Sequence, residues 1–517
     1  MSTAQRKLML VVVDSLHTEM LERAVASGAA PTFKKLLDRG ALIPDCVSSF
    51  PSVTPVACSE IATGVGPDRH WISGMNWFHR VERRYVEYGS SLEATRAFGL
   101  FRTLYDTVYN MNMAHLSHEV ETVFEYLDDA GVRTACTPFL IYRGRHRHEL
   151  GLEGLMRRMA VAAKFHHAVW GPAELFYGEL YASRKVPCRP TLARPGTRDE
   201  YSACVGKELV EQDLYDFLLL GLPDNDYHSH RFGPEASIES IGHADASFER
   251  VVDAAGGIDS FLADHAVILL ADHSQVAVDK ALPIAELLAD EWRVLQPNSD
   301  RVGDAELAVS PTARAAHLYV LERGRRFART HAALRARLRA VDGIDLQAWV
   351  TTGDGAPAER EGVGAPLGDE LAVRVEGEAG ELVFRPGSEV EDRRGRRWWV
   401  DGELGVLDAR IEGDRIESHS YPDALSRLWS ATTAPHAGDV VCSLGDGYEC
   451  VDWGGASHIG GGSHGSLHAG DSLGPLILVG FEPGIEGRRR QWALHDVAGL
   501  VREHFGAAAE VELAVAG

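Results

Sequence analysis

Four short stretches of this 517-residue chain are apolar without alternation: KLMLVVVDS (Lys7 to Ser15), YDFLLLGLPDND (Tyr215 to Asp226), HAVILLADHS (His265 to Ser274) and PLILVGF (Pro475 to Phe481). Runs of Val, Leu and Ile with no polar face suit strands buried on both sides, as in a mostly parallel sheet. Helical periodicity falls between them, over Glu19 to Arg39, His115 to Ala130, Ala236 to Ala255 and Phe327 to Val341. Alternation of this kind predicts an α/β fold with a mostly parallel central sheet flanked by helices. Ligands of such sheets gather beyond the carboxyl ends of the strands. Three of the four runs end there in chemistry: Asp14, Asp226, and the Asp272–His273 pair.

Two stretches break the alternation. Arg143 to Pro195 is rich in Arg, His, Gly and Pro and is expected to be an insertion over the sheet, at about 143–200. Gly303 to about Ser420 holds short strands rich in Gly, Glu and Arg and is expected to form an inserted α+β cap subdomain, 303–420. Residues 1–302 and 421–517 would then make the catalytic core. No internal repeat or low-complexity linker interrupts the chain.

Composition narrows the partners. The formal charge of −23 opposes a nucleic-acid polymer, whose binding rests on Lys and Arg neutralising phosphates. It leaves room for a small phosphorylated or phosphonate substrate, because bound cations reverse the field inside one cleft. No apolar run approaches the ~20 residues of a membrane span, and the run at Leu8 to Val13 stops at Asp14, too short for a signal segment. Seven scattered cysteines without a CxxC pair argue against a disulfide framework and against thiolate metal sites. A reducing, cytoplasmic setting is expected.

In chain order the candidate site residues are Asp14, Thr54, Asp226 with His230, Asp272 with His273, and His464. Carboxylates and neutral imidazoles suit zinc and tolerate manganese. Two divalent ions ~3.5–4 Å apart clamp the attacking and leaving oxygens of a displacement at phosphorus. Asp224 and His228 share the four-residue spacing of Asp226 and His230, so either pair could chelate. Thr54, in FPSVTPVACSEIATG, reads as the N-cap of a helix with Pro55 at its first position. Free backbone N–H groups there would face a phosphoryl oxygen, although taken alone the residue is better explained as a plain N-cap.

Read together, VVVDS, FPSVTP, DYHSHRFGP, ADHS and GGSHGS resemble the alkaline phosphatase superfamily, nearest to type I phosphodiesterases and nucleotide pyrophosphatases and to the related phosphonoacetate hydrolases. The resemblance implies two metal sites, Asp14, Thr54, Asp272 and His273 at one and Asp226, His230 and His464 at the other. It selects His230 over His228, since the family's Asp-x-x-x-His is often followed by x-x-Gly-Pro and HRFGP places His230 there. It also implies a metal-dependent phosphate-ester hydrolase in which Thr54 forms a phosphothreonine intermediate, with zinc expected and manganese an alternative. Asn76, in HWISGMNWF, would bind a phosphoryl oxygen. A phosphonoacetate-type carbon–phosphorus hydrolase, a phosphomonoesterase and a silent phosphate binder are the alternatives. His70–Trp71 and His273–Ser274 stand where the family often has His-Gly, which bears on substrate preference.

Other features have plainer readings beside the chemical ones. Asp224 and His228 would support a ligand from behind or sit in solvent. YRGRHRHE (Tyr142 to Glu149) would clamp a phosphate or form a solvated basic loop. Trp71, Trp77 and Phe78 would stack on an aromatic group or pack. Cys58 lacks the Cys-x-Pro-x-Arg context of a sulfatase and reads as core. His458 and His468 rival His464, whose His-Gly step favours it, and the glycines around it do not make a dinucleotide fingerprint.

Overall fold

The computed structural model describes residues 6–151, 158, 166–178, 180–189, 198–299, 302–360 and 370–506. Its centre is an eight-stranded sheet in the order Ala41–Val47, Leu473–Val479, His265–Leu270, Lys7–Val13, Phe217–Leu222, Thr134–Cys136, Glu174–Tyr177, Tyr181–Ala182. Lys7–Val13 lies parallel to both His265–Leu270 and Phe217–Leu222, and the latter is parallel to Thr134–Cys136. The central strands Lys7–Val13, Phe217–Leu222 and His265–Leu270 are apolar but for Lys7 and His265, because both faces are covered. Leu8, Leu10 and Val12 enter one hydrophobic cluster, and Met9, Val11 and Val13 enter another. Helix Thr54–Thr63 closes the first face with Val56, Ala57 and Ile61; helix Ile238–Asp253 closes the second with Ile241 and Phe248.

Several expectations need correction. Leu473–Val479 runs antiparallel to His265–Leu270, which its apolar pattern does not reveal, since burial on both faces looks the same in either direction. The helical pattern Glu19 to Arg39 is two helices, Thr18–Ser27 and Pro31–Leu37. Gly28 at φ 82° ends the first and Pro31 opens the second. His115 to Ala130 likewise divides: a π-helical segment, Asp106–His115, ends where the expected helix begins, and Val123–Asp129 starts at a capping box of Thr122 and Glu125. The insertion does not lie wholly over the sheet, because Glu174–Tyr177 pairs in parallel with Thr134–Cys136 at the sheet's end. Parts of it, 152–157, 159–165 and 190–197, lie outside the described residues. A disulfide joins Cys188 to Cys204, against the expectation of wholly reduced cysteines; it is closed by tertiary folding across 16 residues and leaves no local sequence signature. Among the described residues no helix is long and apolar enough to cross a membrane.

The stretch 303–420 supplies most of a second, nine-stranded sheet, and Val440–Leu444 threads between its strands Ala315–Val320 and Ile344–Thr351. Helix Ala424–Thr433 packs on it through Leu425 and Leu428, and helix Arg325–Arg339 through Phe327, Leu334 and Leu338. The turn of its first hairpin, Leu307–Thr312 to Ala315–Val320, reaches the glycine-rich loop at 460–465: the Arg314 N–H donates to the His464 carbonyl at 2.8 Å.

Candidate active site

Strand register places the acids side by side. Val13 pairs with Leu222 and Val12 with Leu270, so Asp14, the first turn of helix Asp224–Phe232 and Asp272 leave the same sheet edge together. Beyond Val13 the chain turns sharply through Ser15 at φ 58°. The Ser15 N–H donates to Asp272 Oδ1 (3.1 Å) and its hydroxyl to Asp226 Oδ1 (2.7 Å). Gln275 Nε2 donates to the same Asp226 oxygen at 2.6 Å.

Asp226 and His230 are one turn apart on helix Asp224–Phe232, and His230 Nε2 lies 3.4 Å from Asp226 Oδ1. His464 arrives from the glycine-rich loop, its ring stacked on His273 at 3.8 Å and its Nε2 3.2 Å from His230 Nε2. That loop needs its glycines. A Cβ at Gly461 would lie 2.0 Å from the His230 carbonyl oxygen, and Gly465, at φ 115°, passes the Thr312 carbonyl at a Cβ distance of 2.9 Å. His273 Nε2 sits 3.4 Å from Asp272 Oδ2, 3.7 Å from Asp14 Oδ1 and 3.2 Å from the Thr54 hydroxyl. Two clusters of converging ligand atoms result: Asp14, Asp272 and His273, and Asp226, His273 and His464, with His230 beside the second.

The donor set fits divalent cations on three grounds. Asp14 Oδ1 and Asp272 Oδ2 are buried without a hydrogen-bond partner among the described residues. Burial, and then the neighbouring carboxylates, push Asp14 well up from the usual carboxylate range; burial, with Asp226 adding to it, brings Asp272 up to about 6. Burial would raise Asp226 too, but His230, His464 and His273 hold it below the usual value. Last, burial lowers His230, His273 and His464 to about 4, so all three are neutral near pH 7. The Nδ1 atoms of His230 and His464 face the carbonyls of Gly462 (2.8 Å) and Ser52 (2.7 Å). A carbonyl only accepts, so each Nδ1 carries the hydrogen and the two Nε2 lone pairs point at one another across 3.2 Å. A cation between such atoms turns a repulsion into ligation.

Thr54 opens helix Thr54–Thr63, but its place differs by one from the expectation: Val53 is the N-cap and Pro55 the second helical residue. The first turn also offers fewer donors than foreseen, because the Val56 and Ala57 N–H groups are bonded to the Val53 carbonyl. Asn76 does not reach the site. It is fully buried, it does not line the cleft, and its side-chain amide donates to the Pro311 carbonyl. Asp224 is a helix cap: its carboxylate accepts from the N–H groups of Arg198 (3.0 Å) and Asp199 (2.8 Å), at the start of helix Arg198–Glu211, and from Arg198 Nε (2.9 Å). His228 turns to Phe232, ring centroids 4.9 Å apart.

The remaining alternatives resolve into packing. Arg143 is buried against Glu125 and the Leu116 and Ser117 carbonyls, and Arg145 pairs with Glu125 and Asp129, so YRGRHRHE builds no phosphate clamp. Trp77 packs against His115 and His436, and Phe78 against Tyr319; neither they nor Trp71 line the cleft. His468 bonds Asp345 at 2.9 Å, whereas His458 lines the cleft, stacks on His230 at 3.8 Å and is anchored by Glu449 at 2.7 Å. Ser15, Gln275 and Glu449 were missed by sequence reasoning. The first two had a signal, being polar residues one and two positions past Asp14 and His273; Glu449 had none, and His458, weighed as a rival to His464, stands beside His230 instead.

Asp14, Thr54, Asp226, His230, Asp272 and His464 border one cleft of about 1190 Å³, and His273 is buried beside them. A model of type I phosphodiesterase/nucleotide pyrophosphatase sequences matches residues 8–373. The chain belongs to that family. The matched span holds every candidate ligand except His464, which the fold supplies from its C-terminal part. No curated protein sequence matches significantly. Among solved structures, phosphonoacetate hydrolase from Sinorhizobium meliloti 1021 in complex with phosphonoformate is 15% identical, with a TM-score of 0.54 over 97% of this chain and 96% of that one. Murine ectonucleotide pyrophosphatase/phosphodiesterase 5 is 12% identical, with a TM-score of 0.55 over 98% and 96%. Family member and neighbours thus share an alkaline phosphatase-like fold, a large mixed sheet flanked by helices.

Proposed function

We propose that the protein is a metal-dependent hydrolase of phosphate esters that works through a phosphothreonine intermediate on Thr54. The observation that carries the reading is the convergence of the Thr54 hydroxyl with unpaired Asp14 and Asp272 oxygens and with imidazole lone pairs that face one another. Asp14, Thr54, Asp272 and His273 would hold one cation and Asp226, His230 and His464 the other, zinc or manganese by donor type. Such ions supply positive charge that makes the hydroxyl more acidic and neutralises phosphoryl oxygens. Thr54 Oγ1 attacks phosphorus, the bond to the leaving oxygen breaks, and the phosphoryl group passes to Thr54. Water then attacks the phosphothreonine and restores the hydroxyl. Ser15 and Gln275 fix the Asp226 carboxylate, and the Gly462 and Ser52 carbonyls fix the two imidazole tautomers.

A second reading, carbon–phosphorus cleavage of a carboxylated phosphonate, is supported by Arg198 and Arg231 in the same cleft, cations suited to a carboxylate. A panel separates the two. Hydrolysis of bis(4-nitrophenyl) phosphate, lost on chelation and regained with Zn²⁺ or Mn²⁺, is expected; release of acetate from phosphonoacetate without ester hydrolysis would favour the second. Ester turnover indifferent to chelators would overturn the metal-dependent reading.

A further inference from the structure

The hairpin of strands Asn76–His79 and Arg84–Glu87 carries two buried oxygens that the fold leaves unpaired. Its register sets Asn76 directly opposite Glu87, so both side chains leave the same face. Both residues are fully buried. The Asn76 amide is oriented by the Pro311 carbonyl, which only accepts, so Nδ2 lies there and Oδ1 has no partner. Glu87 Oε1 accepts from the Gly89 and Ser90 N–H groups at 2.8 and 2.7 Å, whereas Glu87 Oε2 has no partner. Buried polar atoms are nearly always bonded, so an orphaned pair on one face requires a cause.

A second carboxylate sharpens the problem. The Ser90 hydroxyl lies 2.8 Å from Glu87 Oε1 and 2.6 Å from Asp452 Oδ2, and its single hydrogen satisfies one of the two. Ser91 Oγ approaches the same Asp452 oxygen at 3.3 Å. Among the described residues no Lys or Arg is paired with either carboxylate. Burial, followed by the charge of Asp452, pushes Glu87 up to about 8, and burial raises Asp452 to about 6. Two such acids need a shared proton or a positive charge. One proton relieves either the contact at Ser90 or the orphaned pair at Asn76, whereas a cation among the oxygens opposes both.

We propose that Asn76, Glu87 and Asp452 hold a hard divalent cation such as calcium, in a site separate from the carboxylate–imidazole clusters. Its donors are all oxygens: one carboxamide, two carboxylates and the neighbouring serine hydroxyl, with water completing the shell. Calcium takes such ligands, whereas the histidine-rich clusters suit zinc. The ion ties the hairpin to the loop after Cys450, which runs from Asp452 to His458, the ring stacked on His230. Ser90, Ser91 and His458 line the cleft, so the site braces one of its walls. It does not depend on the hydrolase reading.

The test is equilibrium dialysis of the zinc-loaded full chain against Ca²⁺ or Mg²⁺, followed by elemental analysis. One Ca²⁺ per chain is expected, with a Kd on the order of 10⁻⁴ M and zinc content unchanged. Glu87→Gln and Asp452→Asn are each expected to weaken Ca²⁺ binding at least tenfold. Glu93→Gln, an acid that lines the cleft nearby, is expected to leave it unchanged. Retention of neither ion at about 10 mM, roughly a hundred times that Kd, overturns the proposal and assigns the two acids a shared proton. Ca²⁺ held equally well by both variants places the ion elsewhere and also overturns it. Should the variants fail to fold, Tb³⁺ bound to the zinc-loaded parent decides. The Trp453 N–H donates to Asp452 Oδ1 at 2.8 Å, so terbium emission excited through tryptophan is expected to fall at least twofold in Trp453→Phe. Unchanged emission overturns the site.

Discussion

Arg314 ties the second sheet to the loop that carries His464, and Arg314→Met tests that tie. The residue is fully buried. Nη1 lies 3.1 Å from Asp471 Oδ2 without hydrogen-bond alignment, Nε donates to the Tyr448 carbonyl at 3.1 Å, and Nη2 to that of Gly445 at 2.9 Å. Asp471, also fully buried, accepts from the Ser466 N–H (2.8 Å) and hydroxyl (2.7 Å), two residues past His464. Methionine keeps the volume and removes the charge. Asp471 is then a buried carboxylate with Ser466, His468 and Arg427 left to oppose its burial, and removing one partner of such a pair costs about 3–5 kcal/mol. Urea unfolding followed by tryptophan fluorescence should show that loss as a lowered midpoint, and elemental analysis a lower metal content. Adding Asp471→Asn removes the stranded charge, so the double variant should be more stable than Arg314→Met alone. A single variant within about 0.5 kcal/mol of the parent, or a double variant no better than the single, would refute the reasoning.

Three further outcomes follow from the geometry. Burial would raise Asp496, but Arg394, bonded to both its oxygens (2.8 and 2.9 Å), holds it at about 2. A depressed carboxylate stabilises the fold above its unfolded pKa and loses that contribution as pH falls through the folded value. Asp496→Asn should therefore cost on the order of 2 kcal/mol at pH 7, and the gap to the parent should close between about pH 4 and pH 2. His230→Ala should lower bound metal per chain, whereas His228→Ala should leave it unchanged; elemental analysis showing the reverse would overturn the register. Asp224→Ala should lower thermal stability by the worth of a helix cap, about 1–2 kcal/mol, without altering metal content, and metal loss would return Asp224 to a supporting role at the site.

Much of the site was legible because its geometry follows from strand ends. A parallel sheet buried on both faces must show unbroken apolar runs, and residues just past their carboxyl ends must meet, so Asp14, Asp226 and Asp272 could be placed together before any contact was known. The direction of Leu473–Val479 was hidden for the same reason: an apolar run carries no sign. Asp224 could not be told from Asp226 by spacing, because its role depends on helix Arg198–Glu211, which precedes it by tertiary contact rather than by motif. Asn76 lies near helix Thr54–Thr63 in sequence, but its side chain is bonded to Pro311 on the second sheet, a contact that sequence proximity does not reveal. The break at Gly28 to Pro31 and the start at Thr122 to Glu125 were present in the sequence as cap signals but were outweighed by hydrophobic period.

The central claim is that Thr54 carries the phosphoryl group. The metal-loaded protein should be mixed with bis(4-nitrophenyl) phosphate, quenched in acid during turnover and digested, and the peptide containing Thr54 weighed. A phosphoryl adduct on Thr54, absent from Thr54→Ala, which retains most of its metal and does not turn over, is the predicted result. Full turnover by Thr54→Ala, or an adduct on another residue, would contradict it.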